Sequence, residues 1–202
     1  MRIKICGITD ARSAAAVVAS GADAVGFVFA ESPRRIGPRE ASRIAADLPA
    51  NLERVAVFRL PGVDDVRRVL DEFSGITIQA EPDADLIAAF ADHLLPVLHD
   101  GLSLDRDVAM IPSDLPVLLE AAGRGGRGIR PDWSRARLLA RHRRLMLAGG
   151  LRANNVCEAI GMVRPWGVDV SSGVETSPGV KSPELIAEFV RVVRGAETEG
   201  MK

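Results

Sequence analysis

Short apolar runs alternate with longer amphipathic stretches along the whole chain. The runs at residues 2–6, 23–29, 53–58, 76–79, 95–98, 115–119, 144–148 and 167–171 are apolar, and most carry Val or Ile. Runs of this length and composition predict strands buried on both faces, as in a parallel sheet. The stretches at 10–20, 38–47, 63–73, 83–92, 103–110, 133–141, 153–162 and 183–193 repeat their apolar residues at helical spacing. In the last of them Leu185, Ile186, Phe189, Val190 and Val193 share one face. The pattern is weakest at 103–110. Thr9, Asn51 and Ser182 stand where caps or turns are expected.

Eight strand–helix units in 202 residues predict an α/β domain with a parallel sheet and helical crossovers. Eight units at roughly 25 residues each suit closure into a compact (β/α)8 TIM barrel. The rival architecture, a doubly wound open sheet, usually shows a glycine fingerprint after its first strand. Here that strand runs into Cys6-Gly7-Ile8-Thr9, which is not one. No linker or low-complexity stretch divides the chain, so residues 1–202 read as one domain, with a polar tail at 195–202 expected to fray.

Composition narrows the function classes. The chain is 47% hydrophobic and 26% charged, with a net charge of −1. A globally basic nucleic-acid binder and an acidic solvating tail are thereby disfavoured. Eight arginines crowd residues 124–144, yet no aromatic ladder accompanies them, so they read as a solvated helix face. Two cysteines, Cys6 and Cys157, exclude a disulfide-stapled scaffold. The early apolar run at 14–19 is far short of the roughly 20 residues of a membrane span. The chain opens directly on a strand, so a cytoplasmic protein without a leader or membrane partner is the expectation. His93 and His142 lie in helix-like stretches without ligand spacing, and no metal is expected.

A (β/α)8 barrel works at the C-terminal ends of its strands. Those ends carry Cys6, Phe29 with Arg34 beyond it, Arg59, Gln79, His99, Glu120, Gly149-Gly150 and Ser171-Ser172-Gly173. Glycine allows backbone to approach a ligand closely. Paired glycine turns after strands seven and eight form the recurrent phosphate site of such barrels. Gly149, Gly150, Ser172 and Gly173 are therefore candidate phosphate-binding residues.

Four blocks carry a family resemblance: KICGITD, DAVGFVFAESPRRI, LAGGLRANNV and VDVSSGVETSPGVK. Together they resemble phosphoribosylanthranilate isomerase, end to end, most strongly in the first and last thirds. The resemblance implies a (β/α)8 barrel without metal or cofactor. It implies an Amadori rearrangement of N-(5-phosphoribosyl)anthranilate, an aminoaldose, to an aminoketose, with that phosphoribosyl compound as the partner. The family's general base maps onto Cys6, which by itself reads as a small buried apolar residue. A thiol activated for this work needs positive surroundings. Lys4 lies on the same face of the strand, with Asp169 on the neighbouring eighth strand as its alternative partner. The family's carboxylate anchor maps onto Arg34, whose planar fork suits a carboxylate; Arg35 competes for the role.

The middle third departs from the family. Its general acid is an aspartate ending strand six, in a run resembling LLD; here residues 116–120 read PVLLE, so the acid maps onto Glu120, one methylene longer. Strand four usually reads like VQLHG, and here 78–82 read IQAEP, without the histidine. Strand five usually ends in lysine and here ends in His99-Asp100. The expectation is a metal-free isomerase with Cys6 as base and Glu120 as acid. A lapsed phosphosugar-binding barrel and an isomerase of a related aminoaldose phosphate are its rivals.

Overall fold

The computed structural model describes residues 1–75, 77–122 and 129–199. Eight parallel strands close on themselves. They are β1 (Arg2–Cys6), β2 (Ala24–Val28), β3 (Glu53–Val57), β4 (Thr77–Ala80), β5 (Leu94–Asp100), β6 (Val117–Ala121), β7 (Leu145–Leu147) and β8 (Gly167–Val170). Closure is direct, since Lys4 of β1 lies in register with Ala24 of β2 on one side and Asp169 of β8 on the other. Helices α1 (Ala11–Ser20), α2 (Pro38–Ala46), α3 (Val63–Leu70), α4 (Ala84–Phe90), α5 (Leu104–Met110), α6 (Trp133–Ala140), α7 (Val156–Val163) and α8 (Pro183–Glu199) follow the strands in turn. A hairpin of β9 (Glu175–Ser177) and β10 (Val180–Lys181) interrupts the last crossover. The (β/α)8 expectation holds. No helix among the described residues is long and apolar enough to cross a membrane.

Several boundaries differ from the pattern reading. The side chain that caps α1 is Asp10, which accepts from the Ser13 N–H at 2.8 Å. Thr9 instead reaches toward the Gly179 carbonyl at 3.5 Å. Ser182 does cap α8, accepting from the Leu185 N–H at 3.2 Å. The last helix, α8, runs on through Glu199, past residue 195 where the polar tail begins. Glu197 holds it there by pairing with Arg194 and with the terminal amine of Met1. Ile76, 123–128 and 200–202, where parts of the fourth strand, the arginine-rich stretch and the tail were placed, lie outside the described residues.

The strand period of two sorts side chains into two cores. Ile3, Ile5, Val25, Phe27, Leu119 and Val168 point outward into the layer shared with the helices. Inside the barrel lie two smaller apolar clusters, one built on Val28, Val55 and Val57, the other on Leu95, Val97, Leu118 and Met146. The barrel interior also holds a buried ion pair, with the fully buried Lys4 Nζ 2.7 Å from Asp169 Oδ1 at the cavity floor. Burial disfavours the ammonium, but the charge of Asp169, the neighbouring Cys6 and the hydrogen bonds outweigh it and push the Lys4 pKa up to about 12.

That pair makes a stability prediction. Asp169→Asn leaves a buried ammonium without its counter-charge and should cost about 3–5 kcal/mol. Replacing both partners with Lys4→Met and Asp169→Leu should cost much less, because no buried charge is stranded. Urea unfolding checks this; a loss below about 1 kcal/mol in Asp169→Asn would place the pair in the solvated class.

Candidate active site

A cavity of about 1450 Å³ opens at the C-terminal ends of the strands. Its lining includes Cys6, Arg34, His99, Glu120, Ser172 and Glu175, contributed from opposite sides of the barrel. Gly149, Gly150 and Gly173 are not among its lining residues. The cavity therefore gathers the expected thiol, acid and guanidinium, and one of the four expected phosphate residues.

Cys6 ends β1 facing inward, two residues from Lys4. Gly26, its register partner on β2, makes room for it. A Cβ at Gly26 would lie 3.0 Å from Cys6 Sγ and 3.2 Å from Lys4 Nζ. Gly7 then turns the chain at φ +82°, and a Cβ there would lie 2.6 Å from Arg34 Cδ. These two glycines escaped the sequence reading. The signals for them were a glycine inside a strand pattern and a glycine directly after a strand-end cysteine. Positive groups do surround the thiol, but they do not decide its state. Burial pushes the Cys6 pKa up; Lys4 and Lys181 pull it down, while Asp169 adds to the rise. Burial wins, so the resting group is the thiol.

Arg34 is buried and lines the cavity, whereas Arg35 is exposed and does not. Its fork is engaged from one side: Nε and Nη2 donate to the two carboxylate oxygens of Glu175, each at 2.7 Å. Lys181 Nζ donates to the same carboxylate at 2.7 Å and to the Ser171 carbonyl at 2.9 Å. Burial works against the Glu175 charge, but the hydrogen bonds from Arg34 and Lys181 hold its pKa below the usual carboxylate range. Two of the five guanidinium N–H groups are thus spent on positioning, leaving Nη1 and one N–H of Nη2 for a ligand. The β9–β10 hairpin supplies this brace. Its turn at Gly179, φ +85°, sits against the Pro33 carbonyl, 2.6 Å from where a Cβ would stand. The Pro178-Gly179 dipeptide was the available sign of this turn.

The two glycine turns touch each other. A Cβ on Gly173 would lie 1.9 Å from the Leu151 carbonyl oxygen, so only glycine fits. Gly149 and Gly150 adopt φ of +88° and +64°. Asn155 closes their loop by donating to the Gly150 carbonyl at 2.9 Å, which delays α7 to Val156. Among the described residues, the N–H groups of Gly149, Gly150, Ser172 and Gly173 take no backbone acceptor outside regular structure.

Glu120 lies on β6 in register with His99 on β5. His99 Nδ1 is 3.5 Å from Glu120 Oε1, and Nε2 is 3.3 Å from Glu81 Oε1, which in turn faces Arg59 Nε at 3.4 Å. Burial pushes the Glu120 pKa up; His99 and Lys4 pull it down, while Asp169 and Glu81 reinforce the rise. The net direction is upward, as an acid working near neutrality requires. Asp100 is committed elsewhere, accepting from Arg135 at 2.7 Å and from the Asp132 N–H at 2.5 Å. Among the described residues no group of His, Cys, Asp or Glu is arranged to hold a metal ion. Other arginines of the crowded stretch are engaged with the fold: Arg130 stacks on Trp133, Arg143 caps the Val108 and Ile111 carbonyls, and Arg144 stacks on Trp166.

Comparison with known proteins bears on this cavity. A family described as N-(5'-phosphoribosyl)anthranilate (PRA) isomerase matches residues 3–192. The N-(5'-phosphoribosyl)anthranilate isomerase of Thermotoga petrophila is 39% identical, over 96% of this chain and 99% of its own. The crystal structure of the Thermus thermophilus enzyme superposes with a TM-score of 0.86 at 34% identity, over 96% of this chain and 99% of that one. Another solved structure, a phosphoribosyl anthranilate isomerase in complex with reduced 1-(o-carboxyphenylamino)-1-deoxyribulose 5-phosphate, superposes at 0.82 with 38% identity, over 96% and 99% of the two chains.

Proposed function

The chain belongs to the N-(5'-phosphoribosyl)anthranilate isomerase family, and from that membership we propose that it catalyses the Amadori rearrangement of N-(5'-phosphoribosyl)anthranilate to 1-(2-carboxyphenylamino)-1-deoxyribulose 5-phosphate, a step of tryptophan biosynthesis. One observation carries the assignment of roles. A buried thiol on β1 and a half-buried carboxyl on β6 face one cavity, with a braced guanidinium at its rim.

Glu120, protonated, gives its proton to the furanose ring oxygen as the C1–O bond breaks. The freed nitrogen electrons form a Schiff base at C1. The Cys6 thiolate then takes the C2 proton, and the electrons of that C–H bond neutralise the iminium as an enolamine. The enolamine gains a proton at C1 and loses one from the C2 hydroxyl to give the ketone. Substrate and product are isomers, so the enzyme is reset once Cys6 loses its proton and Glu120 regains one. Arg34 holds the anthranilate carboxylate through the N–H groups that Glu175 leaves open. Backbone N–H groups of Gly149, Gly150, Ser172 and Gly173 hold the phosphate, supported by the contact between their two turns. The reading needs no metal or cofactor and places the enzyme in the cytoplasm, in keeping with its two free thiols.

The test is a fluorescence assay of the purified protein with freshly made phosphoribosylanthranilate. Turnover is expected, with inorganic phosphate inhibiting competitively. Crystals grown in phosphate should show an anion between Gly150 and Ser172-Gly173. Absence of turnover would favour a lapsed barrel, and turnover indifferent to saturating phosphate would remove the phosphate assignment.

A further inference from the structure

His99 joins three strand ends of the site. Its Nδ1 has two acceptors in reach, Glu120 Oε1 at 3.5 Å and the Ala121 carbonyl at 3.4 Å, while Nε2 has Glu81 Oε1 at 3.3 Å. A neutral imidazole carries one N–H and presents a bare lone pair at the other nitrogen. With acceptors facing both nitrogens, the ring can donate to both sides when doubly protonated; carrying its one N–H at Nε2, it can instead accept the proton of a protonated Glu120 at Nδ1. Glu81 is itself steadied by Arg59. A chain Arg59–Glu81–His99–Glu120 thus crosses the ends of β3, β4, β5 and β6, and ends on the acid.

We propose that His99, braced by Glu81, is the positioning residue for Glu120: it aims the longer acid at the substrate and shares with it the proton that the acid delivers. This rests on the reading of Glu120 as the general acid. The shared step is simple. The Nδ1–H bond breaks as an O–H bond forms on Glu120, leaving a neutral ring and a neutral carboxyl. After Glu120 has protonated the sugar, the neutral ring, part-exposed at the cavity, is reprotonated from solvent as Cys6 releases the C2 proton to that solvent, and only then can supply Glu120 again. Glu120 carries one methylene more than an aspartate and therefore one more rotatable bond to hold. A misplacement of about 1 Å costs on the order of a hundredfold in rate. A partner on the neighbouring strand, in register, removes that freedom.

The test separates aiming from charge. Glu120 also faces Lys4 from β1, Asp169 from β8 and Glu81 beyond β4, while His99 is in range of Asp107 on α5. These groups stay in place when His99 changes. His99→Asn keeps an N–H toward Glu120 but has neither a positive charge nor a proton to give. The Glu120 carboxyl, followed by 13C NMR, should titrate at higher pH in His99→Asn than in the wild type, because a cation has been removed beside it. If charge were the only contribution, more Glu120 would then be protonated and the reaction would speed up. The expectation is the reverse: kcat falls by about tenfold or more with KM within about twofold. Glu81→Gln should give a smaller loss of the same kind, and add nothing when combined with His99→Asn.

An unshifted Glu120 titration, or a kcat within about twofold of wild type, overturns the proposal. Additive losses in the double variant overturn the role of Glu81 in it. Circular dichroism verifies folding, and if His99→Asn does not fold, the kcat loss in Glu81→Gln carries the test alone, because removing the Glu81 charge itself draws the Glu120 titration down. Because the titration reads out without turnover, a shifted carboxyl in a wild type that turns nothing over overturns the acid assignment rather than the contact.

Discussion

Cys6→Ser should fold normally and lose nearly all turnover. Serine is close in size to cysteine, and the space opposite it is set by Gly26, so the barrel has no reason to shift. Cys6 is buried, so a new hydroxyl left without a partner should cost about 1–3 kcal/mol in unfolding, too little to unfold the barrel. The chemistry changes far more. A thiol can become a thiolate, and Lys4 and Lys181 favour that anion even though burial opposes it. A serine hydroxyl in the same place is much harder to ionise, so proton removal from C2 loses its base. General-base catalysis contributes about 10²–10⁴-fold, so kcat should fall by at least about a hundredfold with little change in KM. A variant retaining a tenth of wild-type turnover would remove Cys6 from the mechanism.

The raised pKa values of both groups bear on the pH profile. The working form pairs a thiolate with a protonated carboxyl, the reverse of their ordinary order of acidity. It is therefore a minority form, and its share grows as the Glu120 pKa rises toward that of the thiol. Such a pair still gives a bell-shaped profile: activity falls below the Glu120 pKa, where both groups are protonated, and above the Cys6 pKa, where neither is. Burial raises both limits relative to the free side chains.

Much of this architecture is legible in the chain. The eight apolar runs and their spacing specify closure, because parallel strands buried on both faces need helices outside them. The strand ends then nominate Cys6, Arg59, Gln79, His99 and Glu120 before any contact is known. What escapes is what depends on backbone register or on distant partners. Beta ladders are made by backbone groups and ignore side-chain polarity. So β5 and β6 run on through His99-Asp100 and Glu120-Ala121, past the end of their apolar runs. The brace on Arg34 comes from Glu175, 141 residues away, and no local pattern announces it. Gly26 matters because of what stands opposite it, which only pairing reveals. Gln79 was visible as a strand end, but not that its Oε1 is buried at the cavity without a hydrogen-bond partner among the described residues.

Glu120→Gln should abolish turnover while leaving substrate analogues bound. The amide matches the carboxyl in size and can still contact His99, but it has no acidic proton to place on the ring oxygen. A loss of at least about 10²–10⁴-fold in kcat is expected, with the dissociation constant of a product analogue within about threefold of wild type. The upward direction of the Glu120 pKa supports the assignment, and an incoming phosphate and carboxylate would push it further the same way. Glu120→Asp, which restores the residue type of the resembled family, is the sharper variant. The carboxyl withdraws by one methylene while His99 and Glu81 stay where the longer side chain needs them. Measurable but reduced activity is therefore expected, since acid strength is preserved and aim is not. A Gln variant as active as wild type would pass the role to another proton donor. Asp100 is poorly placed to take it, because Arg135 and the Asp132 N–H already occupy its carboxylate. That leaves His99 itself as the group to which the proton would then have to be traced.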